Sequence, residues 1–153
     1  MNAADIMTTR LVTAAPDTPV MDLVRLMVDR HVSAVPIVED GKLLGVVSHD
    51  DVICALASRN GDTAPLSAAD RRVRDAMAAA LSLRPWSDIA SNPTIIVNAG
   101  VLHLWGPVDS ETDRQALLEL AASMPGARGV EDHMTASSHH EFGGPHWPLP
   151  HHT

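Results

Sequence analysis

The chain has 153 residues, of which 45% are hydrophobic and 20% are charged. This composition is typical of a folded protein and excludes a disordered or collagen-like chain. Acidic residues outnumber basic ones by 19 to 11, and the formal net charge is −8 at pH 7. Because a polyanion would be repelled by this charge, no nucleic-acid partner is expected.

The N-terminus lacks the basic and long apolar segments of a signal peptide, and no apolar run approaches the length of a membrane span. We therefore expect a cytoplasmic protein. Cys54 is the only cysteine, and tyrosine is absent. An intramolecular disulfide, a cysteine-based zinc site and chemistry that needs a tyrosine are thereby excluded.

The first sixty residues predict a β-α-β-β-α unit. A short helical piece at 3–7 and an extended segment at 11–13 precede a helix, for which Thr18 is the expected N-cap and Pro19 the first helical residue. Apolar residues at helical spacing predict the core face of this helix. They are Val20, Leu23, Val24, Met27 and Val28.

Two strands and a second helix complete this unit. The strands are predicted at 34–38 and 43–47, with Gly41 in the hairpin turn between them. Ser48 is the expected N-cap of the following helix, and Asp51 stands three residues further on, as in a capping box. A polar, turn-rich stretch then predicts a linker.

The next seventy or so residues predict an α-β-β-α-β unit. It comprises a helix capped by Ser67, a hairpin over 94–108, a second helix and a last strand over 129–135. Within the hairpin the leucines point to one face of the sheet, and His103 and Trp105 point to the other. The predicted fold class is therefore α+β.

Four segments of the first unit resemble a CBS domain, the regulatory module named after cystathionine β-synthase. They are Asp5-Ile6-Met7-Thr8, Leu11-Val12-Thr13 with Thr18-Pro19, Ser33-Ala34-Val35-Pro36-Ile37-Val38 and Gly45-Val46-Val47-Ser48-His49-Asp50-Asp51.

The second unit resembles a BON domain. The matching segments are Ile95-Ile96-Val97, Gly100-Val101, Leu104-Trp105-Gly106-Pro107-Val108, and Pro125-Gly126 with Gly129-Val130-Glu131-Asp132-His133. The combination is similar to bacterial CBS-BON proteins. The expected organisation is a CBS domain at 1–59, a linker at 60–67, a BON domain at 68–136 and a His/Pro-rich tail at 137–153.

The resemblance implies a homodimer and a ligand. CBS modules act as pairs, whereas this chain holds a single one, so two chains are expected to pair through their CBS domains. Adenosine-containing ligands such as AMP, ADP or ATP bind between paired CBS modules. Carried over to this sequence, the residues expected at that site are Val12, Thr13, Ala34, Val35, Pro36, Ser48, His49 and Asp51.

Ser48 and Asp51 have a second interpretation, because the same Ser-x-x-Asp pattern recurs at Ser67 and Ser110 as a helix cap. In the ligand interpretation Asp51 accepts hydrogen bonds from ribose hydroxyls, and Ser48 lies near a phosphate at the helix N-terminus. His49 either contacts that phosphate or is a solvated surface histidine. Spacing alone does not decide between these alternatives.

A possible partner surface is indicated by Arg71, Arg72, Arg74 and Trp105. Three arginines at the start of a helix are slightly unfavourable for the helix dipole, and a phospholipid or protein partner would explain them. The alternative is a solvated face paired with neighbouring aspartates. Trp105 is expected in a buried contact or a dimer surface rather than in a membrane.

Neither catalysis nor a physiological metal site is expected. The sequence holds no nucleophile elbow, phosphate-binding glycine loop or metal-ligand spacing, although His103 and His133 stand on strands that could pair and five histidines crowd the tail. The sequence favours a non-enzymatic regulatory protein without a cofactor, a sensor of an adenosine-type ligand. The alternative is a ligand-free dimeric scaffold that binds protein or phospholipid through the BON domain and the tail.

Overall fold

The computed structural model describes residues 1–83 and 93–136, so the predicted tail lies outside the described residues. The fold is mixed α and β, as predicted. The elements are α1 (Ala3–Ile6), α2 (Val20–Arg30), β1 (Ala34–Glu39), β2 (Lys42–Ser48), α3 (His49–Ser58), α4 (Ala68–Leu83), β3 (Thr94–Asn98), β4 (Val101–Val108), α5 (Glu111–Ala122) and β5 (Gly129–Ala136).

The expected strand at 11–13 is reduced to one bridge in the structure. Ala14 pairs in parallel with Ile37 of β1, and its amide donates a 3.1 Å hydrogen bond to the Pro36 carbonyl. The extended segment ends there because a turn follows, in which the Ala15 amide donates to Thr18 Oγ1 at 3.2 Å. Thr18 is thus used in the turn, and the N-cap of α2 is Pro19. The prediction of Thr18 as cap was wrong.

The N-terminal module has a small core between α2, α3 and the β1–β2 hairpin. Its buried members are Leu23, Met27, Val35 and Val52. Val28, predicted in the core face, is 64% exposed. A sheet of two antiparallel strands covers only a narrow stripe of α2, and Val28 lies beside that stripe.

The C-terminal module is a three-stranded sheet in the order β3-β4-β5, with β4 antiparallel to β3 and parallel to β5. Helices α4 and α5 cover one face of the sheet, where Leu102 and Leu104 are fully buried with Met77 and Leu117. The predicted alternation is confirmed, because His103 and Trp105 lie on the opposite face.

Asp70 ties α4 to the β3–β4 turn. Its two carboxylate oxygens accept hydrogen bonds from the amides of Ala99 at 3.0 Å and Gly100 at 2.8 Å. Both turn residues have positive φ, as a tight hairpin with this twist requires. The Asp70 side chain is buried and belongs to the turn, so Asp70 is not one of the neighbouring aspartates that could pair with the arginines of α4.

Candidate ligand site and the junction between the modules

Asp51 holds the N-terminus of α3 and also reaches the second module. Its Oδ2 accepts hydrogen bonds from the Ser48 amide at 2.8 Å and from Ser48 Oγ at 2.9 Å, which completes the predicted capping box. Its Oδ1 accepts a 2.9 Å hydrogen bond from Thr94 Oγ1 at the start of β3. Both carboxylate oxygens are therefore engaged, one inside its own module and one across the junction.

The other expected ligand residues lie around β1 and the start of α3. Ala34 stands opposite Ser48 in the ladder, and Pro36 follows on the same face two residues on. Val35 points to the other face and is fully buried in the core. Only its backbone is thus available to a ligand on the face of Ala34 and Pro36.

Val12, Thr13 and His49 stand at the edges of this region. Val12 is half-buried and Thr13 exposed, and they directly precede Ala14, which bonds to β1. The His49 side chain is exposed, while its amide donates a 3.0 Å hydrogen bond to the Ser33 carbonyl. The region therefore offers small apolar residues, a hydroxyl and a carboxylate near one helix N-terminus.

The C-terminal end of α3 also contacts the second module. The indole Nε1 of Trp105 donates a 2.8 Å hydrogen bond to Ser58 Oγ, and Asn98 Nδ2 donates a 3.3 Å hydrogen bond to the Ser58 carbonyl. Together with Thr94 and Asp51, these bonds attach both ends of α3 to the β3–β4 sheet. Helix α3 is the element that joins the modules.

Beside this junction lies a cluster of two histidines and a glutamate. In the parallel ladder His103 stands opposite Glu131, and Trp105 stands opposite His133. His103 Nδ1 and His133 Nε2 are 3.1 Å apart, and Glu131 Oε2 lies 3.3 Å from the first and 3.4 Å from the second. The Trp105 and His133 rings stack with centroids 4.0 Å apart.

The two imidazoles share one hydrogen bond. Their planes differ by 2° and their centroids are 5.4 Å apart, which is about the nitrogen–nitrogen distance plus the two ring radii. The rings therefore lie edge to edge in one plane, with one ring donating and the other accepting. Burial lowers the pKa of His103 below its ordinary value, and His133 adds to this while Glu131 opposes it.

A cavity of about 370 Å³ lies at this junction. Ser58 and Asn60 line it from the first module, and Asn98 and Trp105 line it from the second, together with the histidine cluster. No sequence pattern indicated a functional role for Ser58, Thr94 or Glu131. Alternation along β5 could have placed Glu131 and His133 on one face, but only the strand register sets them against His103.

Family models match two stretches of the chain. A CBS domain model matches residues 3–58, and a BON domain model matches residues 66–137. The chain is a CBS domain followed by a BON domain. The two matches cover most of the chain, in the order that the sequence motifs predict.

Several curated proteins are similar to part of the chain. Uncharacterized protein MJ1426 of Methanocaldococcus jannaschii is 40% identical over 53 residues, which is 34% of this chain and 32% of the relative. Uncharacterized protein MK0525 of Methanopyrus kandleri is 42% identical over 52 residues, which is 33% of this chain and 26% of the relative. The chain thus spans a third or less of the length of these relatives. No solved structure matches the chain.

The two domains imply a coarse role. CBS domains often pair up and bind adenosine ligands, and BON domains bind membranes or proteins. Both kinds of domain are generally non-catalytic, and together they support a regulatory or interaction role. In the described ranges 1–83 and 93–136, no helix is both long and apolar enough to cross a membrane.

The arginines expected at a partner surface lie on the BON domain, at the beginning of α4. Arg71, Arg72 and Arg74 are all exposed, and Arg74 lies 3.7 Å from Asp75. Arg71 and Arg74 line a groove of about 1050 Å³ between α4, the linker and the CBS domain. Trp105 does not join them, since its indole is bonded to Ser58 at the domain junction.

Proposed function

We propose that this protein is a non-enzymatic, homodimeric sensor, in which paired CBS domains bind an adenosine-containing ligand and the BON domain contacts a partner or a membrane surface. The observation that carries the proposal is the position of Asp51. This carboxylate, which the CBS resemblance assigns to the ribose hydroxyls, accepts a hydrogen bond from Thr94 of the BON domain.

Asp51 connects ligand binding to the junction between the two domains. A carboxylate accepts the two neighbouring hydroxyls of a ribose well, but here Oδ2 is held by the cap and Oδ1 by Thr94. Since Oδ2 already accepts two hydrogen bonds, both ribose hydroxyls have to bind at Oδ1, where they compete with the Thr94 hydrogen bond. A ligand shifts an equilibrium only when it binds the two states unequally, and this competition makes the bound and free states differ at the junction.

The distribution of apolar surface supports pairing through the CBS domain. Among the described residues, every strongly exposed large apolar side chain except Leu83 lies in residues 1–58. Those on the secondary structure that forms the CBS core are Met21 and Val28 on α2, Leu43, Leu44 and Val46 on β2, and Ile53 on α3. A second copy that covers part of these side chains would remove them from water, and exposed apolar surface of this kind favours an association between chains.

The oligomeric state tests the pairing. Leu43 and Ile53 are 66% and 62% exposed, and Leu83 on the BON domain is 86% exposed. Sedimentation equilibrium of Leu43→Asp and Ile53→Asp should show monomers, because a charge at a buried dimer contact is costly. Leu83→Asp is the matched control and should stay dimeric. A monomeric wild-type chain would overturn the pairing.

Ligand binding is tested by calorimetric titration of the full chain with AMP, ADP, ATP, NAD and S-adenosylmethionine. We expect binding of one of these ligands, and its loss in Asp51→Ala. The control is Asp113→Ala, which removes the carboxylate that accepts a hydrogen bond from Ser110 Oγ at the cap of α5. Asp113→Ala should still bind the ligand. Heat from none of the ligands would overturn the sensor.

The exposed arginines of α4 favour a second candidate, a scaffold whose BON domain binds phospholipid without a small ligand. Flotation with vesicles of anionic phospholipid distinguishes the two. In the scaffold, Arg71→Glu/Arg72→Glu abolishes flotation, and Arg10→Glu/Arg30→Glu, the same charge change at two exposed positions of the CBS domain, leaves it intact. Absence of flotation in the wild-type chain removes this candidate.

A further inference from the structure

The cluster on the sheet face opposite α4 and α5 has the composition of a metal site. His103, Glu131 and His133 each present one ligand atom, and these three atoms lie within 4.8 Å of one another. Two imidazoles and one carboxylate are a common donor set for divalent first-row transition metals in proteins.

The separations of the ligand atoms fit a shared ion. With metal–ligand distances of about 2.0–2.1 Å, neighbouring donors are about 3.0 Å apart in octahedral and about 3.4 Å apart in tetrahedral geometry. The three observed separations are 3.1, 3.3 and 3.4 Å. No backbone shift is needed to bring the donors to these distances, because the parallel register of β4 and β5 already sets them.

One rearrangement is required at the rings. The lone pair of the accepting imidazole points along the nitrogen–nitrogen line, so an ion at about 2.0 Å from both nitrogens lies roughly 40° off that line. Each ring has to turn by about this angle, and the proton between them has to leave. The Glu131 carboxylate can move with the rings to keep its contact with the ion, because 57% of its side chain is accessible.

The surroundings leave room for such an ion. Trp105 stacks on the His133 ring and is itself fixed by Ser58, so it orients one of the ligands. The cluster borders the cavity of about 370 Å³ between the domains. A water or another small donor from this cavity can complete the coordination.

We propose that His103, Glu131 and His133 bind one divalent transition-metal ion of the zinc and cobalt class at the junction between the CBS and BON domains. This goes beyond the proposed ligand sensor and does not depend on it. It also revises the sequence-based expectation that the chain has no physiological metal site.

Histidines of an unfolded segment can bind metal ions, so the test must separate binding by the five histidines of the tail from binding by the cluster. The five histidines are His139, His140, His146, His151 and His152. In a full-length chain with these five changed to Asn, Co²⁺ is titrated by its visible absorption and then displaced by Zn²⁺. We expect one Co²⁺ per chain, and quenching of Trp105 emission that is absent in Trp105→Phe.

The matched variants are made in the same five-Asn background. His133→Gln and Glu131→Gln should weaken Co²⁺ binding by about tenfold or more. His49→Gln replaces an exposed histidine outside the cluster and should change nothing. Circular dichroism at 222 nm confirms that each variant is folded. His103→Gln serves as a second ligand variant if His133→Gln loses its fold.

Two results would overturn the proposal. The first is a five-Asn chain that binds no Co²⁺, which would mean that the tail holds adventitious metal only. The second is binding of equal strength in the ligand variants and the five-Asn chain, because the ion would then lie elsewhere.

Discussion

The indole Nε1 of Trp105 donates a 2.8 Å hydrogen bond to Ser58 Oγ, so a strand of the BON domain is attached to the last turn of the last CBS helix. Ser58 is buried although it is a polar residue at a helix end. Its hydroxyl accepts this hydrogen bond from the other domain. The two domains are thus joined by specific bonds as well as by the linker.

The Trp105–Ser58 bond should couple the two residues energetically. Trp105→Phe keeps an aromatic ring over His133 and removes the donor, and Ser58→Ala removes the acceptor. Each change should lower the free energy of unfolding by about 1–2 kcal/mol. In a double-mutant cycle measured by urea unfolding, the coupling should be about 1 kcal/mol. Purely additive effects would mean that the bond does not form in solution.

The Thr94 hydroxyl should compete with the ribose hydroxyls for Asp51 Oδ1. Thr94→Val keeps the shape of the side chain and removes the hydroxyl that donates to Asp51 Oδ1. If the sensor proposal holds, the adenosine ligand should bind about fivefold more tightly, since one hydrogen bond of about 1 kcal/mol no longer has to be broken. Calorimetry of this variant is compared with Thr112→Val, an exposed position on α5. Unchanged or weaker binding by Thr94→Val would contradict the competition.

Replacement of the buried Asp70 should clearly lower the stability of the BON domain. Asp70→Ala leaves the turn amides of Ala99 and Gly100 without their acceptor in a buried position. We expect a loss of about 2–4 kcal/mol in the free energy of unfolding. Asp75→Ala, on the exposed face of the same helix, should cost about 0.5 kcal/mol or less. Equal effects of the two changes in urea unfolding would refute this role.

Cys54 should react slowly with thiol reagents and do so at unusually high pH. Burial raises the pKa of its thiol above the ordinary 9.0, and Asp51 and then Asp50 add to the increase. The midpoint of the pH profile for iodoacetamide alkylation should lie above that of a free thiol, and Asp50→Asn should move it downward. Because Cys54 is the only cysteine, Cys54→Ser gives the blank.

The raised pKa of Cys54 also makes the stability of the protein depend on pH. The folded chain holds the thiol proton to higher pH than the unfolded chain, so this contribution to stability is present below pH 9 and is lost as the pH rises further. Cys54→Ser should therefore unfold with a weaker pH dependence above pH 9. A midpoint at the free-thiol value in the alkylation profile would contradict the raised pKa.

The sequence by itself determined the elements and their order. Short-range signals were sufficient for the two hairpins, because Asp40-Gly41 and Ala99-Gly100 adopt the positive φ that a tight turn needs. The caps at Ser48 and Ser110 were equally local, since donor and acceptor are only three residues apart. Family motifs then gave the order of the CBS and BON domains.

Tertiary structure decided what those residues contact. The segment at 11–13 formed no strand because the turn at Ala15–Thr18 ends it, and Val28 stayed exposed because a two-stranded sheet is too narrow to cover it. The second partner of Asp51 is Thr94, a residue of the other domain. Likewise, His103 meets Glu131 and His133 only through the register of two parallel strands joined by a helix. Such contacts depend on the packing of distant segments, which no local pattern of residues encodes.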